Sequence, residues 1–241
     1  MPRPVPDATH YIGDELALFE HATHWKAYYG ARLRPFLRGR VLEVGAGIGG
    51  TTRALCDGRQ ADWLCLEPDA ALAGRVAELL RAGELPAGCR LHVGTLEDLP
   101  APEGLFDAIL YIDVIEHIQD DAAELRRAYA RLAPGGALLI LVPAHQWLFS
   151  PFDQAIGHFR RYSRPMLRRA LPAGSRIRQL VYLDSVGLLA SAANKLLLRQ
   201  RYPTLAQVRF WDRTIVPVSR LADRLTGFAL GKSVLAVVEK P

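Results

Sequence analysis

Long hydrophobic runs are missing from this chain. No apolar stretch among its 241 residues approaches the roughly 18 needed to span a bilayer. No apolar signal core follows the opening Met-Pro-Arg-Pro-Val-Pro-Asp, which predicts a cytoplasmic protein. Cysteine is scarce: Cys56, Cys65 and Cys89 are odd in number and lack metal-ligand spacing. A disulfide framework and a zinc site are therefore not expected, and the three should be reduced, mostly buried thiols. Internal repeats and low-complexity tracts are absent, which argues against solenoids and arrays. Half the residues are hydrophobic, too many for a disordered chain. The length suits one ordinary domain carrying insertions.

Charge is unevenly spread. Residues 1–158 carry 14 Lys/Arg and 21 Asp/Glu, a net of −7, whereas residues 159–241 carry 16 and 4, a net of +12. A basic C-terminal third predicts an anionic substrate or a membrane surface as partner. The competing reading is an arginine-rich solvated surface.

The most informative segment is Val-Leu-Glu-Val-Gly-Ala-Gly-Ile-Gly-Gly at 41–50. An apolar run containing Glu43 meets Gly45, Gly47 and Gly49, and a helical stretch starts at Thr51. This is a strand, a tight turn and a helix N-terminus, with glycines that allow a sharp turn and close approach of a ligand. A second apolar run, 61–66, ends in Glu67, where a carboxylate can hold a ribose diol. An adenosine-containing cofactor is expected at the C-terminal edge of a parallel sheet. Gly45, Gly47 and Gly50 also satisfy Gly-x-Gly-x-x-Gly, so a nicotinamide dinucleotide competes. S-adenosylmethionine (SAM) is favoured by three features. Glu43 stands two residues before the first glycine, where it can face the cofactor's aminoacyl end or orient the loop. Helical patterning precedes the first strand. The later segments fall in a suitable order: strands at 41–44, 63–66, 90–93, 106–112, 137–142, 176–183 and 232–238, with helices at 50–56, 70–80, 120–132 and 166–171. Residues 14–37 read as one or two helices and 143–163 as a long aromatic loop. The segment 185–231 is an insertion with helices at 186–198 and 205–225. Val208, Trp211, Ile215, Val218, Leu221 and Leu225 fall on one face, and Pro217 is expected to kink or split the second helix.

On these residues the chain resembles the class I SAM-dependent methyltransferases, over 41–181 and the last strand. The expected fold class is α/β: a Rossmann-like doubly wound sheet, mostly parallel with an antiparallel last strand, plus a helical lid insertion. The division is an N-terminal helical cap (1–39), a core (40–183), a lid (184–231) and a final strand (232–241). The resemblance implies that the backbone at Gly45, Ala46 and Gly47 packs against the cofactor's methionine and ribose. It implies that Glu67 accepts from the ribose hydroxyls, that Pro68 lies by the adenine, and that Leu96 walls it. Glu97 or Asp98 would accept from the adenine amino group. Thr95 stands where the family often has Asp, and would use its hydroxyl or backbone. Asp113 would face the cofactor's ammonium.

The motif Asp113-x-x-Glu116-His117 leaves the fourth strand at the ligand-binding edge. It is similar to the Glu-x-x-Glu-His of ubiquinone-pathway and small-RNA methyltransferases, in which these residues bind a divalent metal. The shorter Asp113 weighs against that here, and no metal is predicted. An oxygen nucleophile must lose a proton as it takes a methyl group, and a histidine can accept it; His117 and His145 are the candidates. In the long loop, Trp147, His158, Arg160, Arg161 and Tyr162 are expected to contact substrate, the arginines pairing with a phosphate or carboxylate. The alternative is a loop pinned by an internal pair with Asp153.

The expected activity is methyl transfer to oxygen of a small-molecule or lipid-like, anionic acceptor, with peripheral contact at the inner membrane face through the basic third. The rivals are an RNA or tRNA methyltransferase, a non-catalytic membrane- or partner-binding module and a nicotinamide oxidoreductase. The first lacks an RNA-binding module and a base pocket of the Asn/Asp-Pro-Pro-Tyr type, so nucleic acid is not the expected partner. The last lacks a hydride-transfer constellation such as Tyr-x-x-x-Lys.

Overall fold

The computed structural model describes residues 15–100, 103–198 and 202–241; the proline-rich leader expected at residues 2–6 lies outside them. Helices α1 (Glu15–Phe19) and α2 (Thr23–Leu33) precede the sheet. Strands β1 (Arg40–Val44), β2 (Asp62–Glu67) and β3 (Cys89–Val93) alternate with α3 (Gly50–Leu55) and α4 (Ala70–Arg81). Then follow β4 (Phe106–Ile112), α5 (Asp121–Ala130), β5 (Leu132–Pro143), the short helices α6 (Pro151–Ala155) and α7 (Arg164–Ala170), and β6 (Arg176–Leu183). The insertion holds α8 (Ser185–Ala193), α9 (Leu205–Phe210) and α10 (Val216–Leu225), and β7 (Ser233–Glu239) closes the chain.

The seven strands lie in the order β3-β2-β1-β4-β5-β7-β6. The first five are parallel neighbours, and β7 runs antiparallel between β5 and β6. Alternation along the buried strands builds a core on each face. Val41, Leu110, Leu139 and Val237 point to one side, under Trp25, Tyr29 and Leu33 of α2 and Val208, Trp211 and Val216 of the insertion. Leu42, Ile109, Ile140 and Ala236 point to the other, under Leu125 of α5 and Leu167 of α7. Cys56, Cys65 and Cys89 are buried free thiols.

Two departures from the expected elements have local causes. The helix expected to run to Leu132 stops at Ala130, and the strand begins at Leu132. Leu132 already pairs with Phe106, and the Ala-Pro-Gly-Gly of 133–136 is a wide bulge before Ala137 pairs with Ala108. Gly135, at φ 75°, makes that excursion possible.

The second departure is in the insertion. A π-helical turn, Trp211–Ile215, joins α9 to α10. Pro217 has no N–H for the Arg213 carbonyl and its ring crowds that oxygen, so the turn just before it widens. The widening advances the helical register by one residue. The inward face therefore passes from Val208 and Trp211 to Val216, Ser219 and Asp223, all buried. Val218, Leu221 and Leu225, expected on the same face as Trp211, point outward instead.

The insertion is fastened by three buried carboxylates. Asp212 accepts from the backbone N–H groups of His24 and Trp25 at 3.1 and 2.8 Å, capping α2, whose own leading residue Ala22 offers no side-chain cap. Asp223 accepts from the Tyr28 hydroxyl at 2.7 Å and from the N–H groups of Asp184 and Ser185 at 2.7 and 2.9 Å. Asp184 accepts from Gly187 N–H at 3.0 Å, Trp211 Nε1 at 2.7 Å and Ser219 Oγ at 2.5 Å. The described part of the insertion is thus tied to α2 and to the sheet edge. Among the described residues no helix is long and apolar enough to cross a membrane.

Candidate active site

The C-terminal strand ends form one edge, and its backbone is strained where side chains must be aimed. Asp113, His145 and Asp184 have φ of 54°, 66° and 67°, and each stands within two residues of the end of β4, β5 or β6. Non-glycine residues adopt this region rarely and at a cost, which is characteristic of functional edges.

On the β1–β2 side, Gly45 and Ala46 donate to the Leu66 carbonyl at 2.8 and 3.1 Å, so the glycine turn is tied across to the neighbouring strand. A Cβ on Gly45 would stand 2.6 Å from Val114 Cγ2; the φ of 71° and this approach both require glycine. Glu67, 5% exposed, accepts from Gly47 N–H at 2.7 Å and Asp69 N–H at 3.0 Å. Burial raises its pKa while these two donors pull it down, and each oxygen keeps a further lone pair for a diol. Pro68 follows it, partly exposed. Asp113, at the end of β4, is exposed. Although the residue is exposed, desolvation by the surrounding protein raises its carboxyl to about 7, against Lys232 and Arg161. A backbone cradle beside two carboxylates suits a cofactor with a ribose diol and an ammonium.

Glu43 does not face that cradle. It is buried, and its Oε2 accepts from Thr52 Oγ1 at 2.7 Å and Trp63 Nε1 at 2.9 Å. Desolvation pushes it up to about 7. Of its two expected roles, orienting the loop and α3 is the one realised. Leu96 is buried. Thr95 donates from N–H and Oγ1 to Asp98 Oδ2 at 2.8 and 2.7 Å, which folds this turn on itself. Glu97 pairs with Arg127 at 2.6 Å on the exposed surface.

The two candidate bases differ. His145 Nε2 lies 2.9 Å from the Gly231 carbonyl oxygen. A carbonyl only accepts, so Nε2 carries the hydrogen and Nδ1 the lone pair. The ring stacks on Tyr182 at 5.0 Å. Burial, with Arg161 nearby, lowers its pKa, so it is neutral at pH 7. His117 is buried more deeply, and desolvation takes it down to about 3. It also bonds to the Ile156 backbone and packs edge-on to His158, ring centroids 4.5 Å apart. That is too weak a base for ordinary proton abstraction.

His117 belongs to a different group. Glu116, His117 and His158 bring ligand atoms within 4.8 Å of one another. Both Glu116 oxygens are buried without a hydrogen-bond partner. Burial, with Asp113 nearby, raises Glu116 well above the usual carboxylate range. His158 Nδ1 meets Asp153 Oδ1 at 3.0 Å, leaving Nε2, 3.9 Å from Glu116 Oε1, as a free ligand atom. A carboxylate behind a histidine is the arrangement that orients metal ligands. One carboxylate and two imidazoles fit a divalent transition ion better than a hard cation. The expectation of no metal rested on Asp113; the geometry offers His158 from the distant loop instead.

The expected anion site is closed. Arg161 pairs with Asp153 at 2.7 Å, and Asp153 is held at low pKa by His158 and Arg161 despite burial. Arg160 donates to the Ile118 and Gln119 carbonyls at 3.0 and 2.7 Å and pairs with Asp121 at 2.9 Å. Tyr162 is fully buried, its hydroxyl 2.6 Å from Asp121. The internal Asp153 pair, not an open anion pocket, is what these residues make. Trp147 remains available: it is 51% exposed and its ring centroid is 5.9 Å from that of His145.

Sequence reasoning missed Lys232 and Asp184. Lys232 lies over the Trp211 ring at 4.0 Å and 3.7 Å from Asp184, and burial lowers its pKa. Gly231 was also missed, although a Cβ there would stand 2.2 Å from the Leu183 oxygen. One signal was available. Asp184, Asp212 and Asp223 are the only acidic residues between 184 and 231, and isolated acids in a basic segment are candidates for buried anchors.

A family model described as a methyltransferase domain matches residues 17–189. Ajmaline N-methyltransferase of Rauvolfia serpentina is 30% identical over 189 residues, 75% of this chain and 57% of that protein. A ubiquinone biosynthesis O-methyltransferase of Xanthomonas axonopodis pv. citri is 32% identical over 117 residues, 47% of this chain and 46% of that protein. The chain thus spans about half the length of these curated relatives. Among solved structures, a mycolic acid cyclopropane synthase complexed with S-adenosylhomocysteine aligns with a TM-score of 0.59 at 18% identity, covering 90% of this chain and 83% of that one; this speaks to the fold.

Proposed function

The chain belongs to the methyltransferase domain family, and on that premise we propose that it is a class I SAM-dependent methyltransferase that methylates an oxygen of a small-molecule or lipid-like acceptor met at a membrane surface, with His145 as the base. The observation that carries the choice of base is the tie from His145 Nε2 to the Gly231 oxygen. It leaves a neutral imidazole with its lone pair on Nδ1, at the same sheet edge as the glycine cradle.

SAM, when bound, supplies an electrophilic methyl group on a positively charged sulfur. The backbone of Gly45, Ala46 and Gly47 would hold it, Glu67 would accept from its ribose hydroxyls, and Asp113 would pair with its ammonium. Trp147 offers an apolar face to the acceptor. His145 Nδ1 takes the acceptor's proton, and the bond to Gly231 with the stack on Tyr182 fixes the direction of that lone pair. Because the chemical step needs little beyond alignment, most of the acceleration comes from positioning. A divalent transition ion held by Glu116, His117 and His158 would supply a Lewis acid for an acceptor oxygen.

Calorimetric titration with SAM, S-adenosylhomocysteine and NAD⁺, repeated with Glu67→Ala, tests the cradle. Micromolar binding of the two sulfur compounds, lost in the variant, is expected; binding of NAD⁺ alone would overturn the assignment. Methyl-transfer assays over phenolic, carboxylate and lipid acceptors then test the acceptor class. Salt-dependent binding and methylation of bulk RNA would favour the nucleic-acid alternative.

A further inference from the structure

The outward face of the insertion has a composition that core packing does not explain. Val218, Leu221 and Leu225 are 52, 61 and 81% exposed and recur at spacings of three and four, a stripe along the solvent side of α10. Leu189 on α8 and Phe210 on α9 are similarly exposed, at 68 and 60%. Arg209, Arg213, Arg220 and Arg224 are all exposed on the same segment. None is within ion-pair distance of a carboxylate among the described residues. The segment's three acids, Asp184, Asp212 and Asp223, are all turned inward with at most 1% exposure. The outer face thus carries leucines and arginines and no anion.

We propose that this face docks the enzyme on an anionic lipid bilayer, with the α10 stripe entering the acyl boundary and the arginines meeting lipid phosphates. An amphipathic helix with an apolar face and cationic flanks has this affinity. A second copy fits poorly, because the same face of a partner would offer arginines and no exposed acid to pair with them. The inference gives a surface to the membrane-side reading above and is independent of which atom is methylated.

The test is flotation of the full chain with vesicles of phosphatidylcholine alone and of phosphatidylcholine mixed with phosphatidylglycerol. The chain should float with the mixed vesicles only. Leu221→Ser/Leu225→Ser and Arg220→Gln/Arg224→Gln should each weaken binding by roughly tenfold or more, the arginine contribution also falling with added salt. These side chains are exposed, so each variant should bind SAM as the parent does, which separates failure of docking from failure of the methyltransferase site. Absence of flotation, equal binding to both vesicle types, or binding untouched by the leucine variant would each overturn the proposal. A dimer that dissociates in the leucine variant would overturn it in favour of a second copy.

Discussion

The two sides of the sheet edge are built by opposite means. On the cofactor side the cradle is nearly local: Gly47 and Glu67, which bond to each other, are 20 residues apart, and the turn between them hangs from the adjacent strand. On the side of His145 and the insertion the ties are remote. His145 is oriented by a carbonyl 86 residues away, and the insertion is tied to α2 by bonds spanning 187 and 195 residues. A local cradle can be read as a motif. A site assembled from distant buried carboxylates has no motif, and shows itself only as polar residues in places where the core needs them.

The largest effect should come from the remote side. Asp223→Ala leaves the Tyr28 hydroxyl and two backbone N–H groups buried without an acceptor, and should cost about 3 kcal/mol or more of stability in urea unfolding. A cost below about 1 kcal/mol would mean that the insertion is a loosely held lid. His145→Asn should lower kcat by about 100-fold with SAM affinity unchanged. The unprotonated ring is the active form and burial lowers its pKa, so the acid limb of the pH–rate profile should lie below the ordinary histidine value of 6.5. An unaltered rate would remove His145 from the mechanism.

If the Glu116 cluster holds an ion, protein dialysed against a divalent transition metal should retain one equivalent by elemental analysis. Glu116→Gln should lose it, and chelation should cost about 2–3 kcal/mol, the gain expected when the ion is at about 100 times its Kd. Retention of no ion by either protein would leave Glu116 as a buried protonated acid. Glu43 sharpens the cofactor side. Its pKa is raised in the folded state to about 7 from 4.5, so the native state binds the proton more tightly. The resulting stability is fully present below 4.5, and is lost as pH rises towards and through 7. Glu43→Gln keeps an acceptor for Thr52 and Trp63 and should flatten that slope, worth at most about 3 kcal/mol. An unchanged slope would place the titration elsewhere.

Much of the framework was legible. Every expected strand is present, because buried parallel strands are continuous apolar runs between turn residues. The cradle was legible because Gly45 needs a conformation few residues adopt. Errors arose where one local rule was carried too far. The Ala-Pro-Gly-Gly of 133–136 reads as a helix stop, yet lies inside a strand as a bulge. The stripe ending in Leu225 assumed regular helical spacing, and the π-turn before Pro217 moved the buried face on by one residue. Tyr162 and Arg161 looked like substrate contacts because polar residues in an aromatic loop do, but Asp121 and Asp153 take their hydrogen-bonding capacity internally.

By itself the sequence determined the order of strands and helices, the glycine turn and the carboxylate of Glu67, since these follow from hydrophobic periodicity and backbone sterics within a short window. Only the tertiary structure decided that Glu43 supports the turn from behind, that His145 turns Nε2 to the Gly231 carbonyl while desolvation lowers the pKa of His117, and that the leucines of α10 face solvent. Those outcomes depend on burial and on which distant group supplies a hydrogen-bond partner, and both are set only when the insertion, α2 and the sheet edge come together.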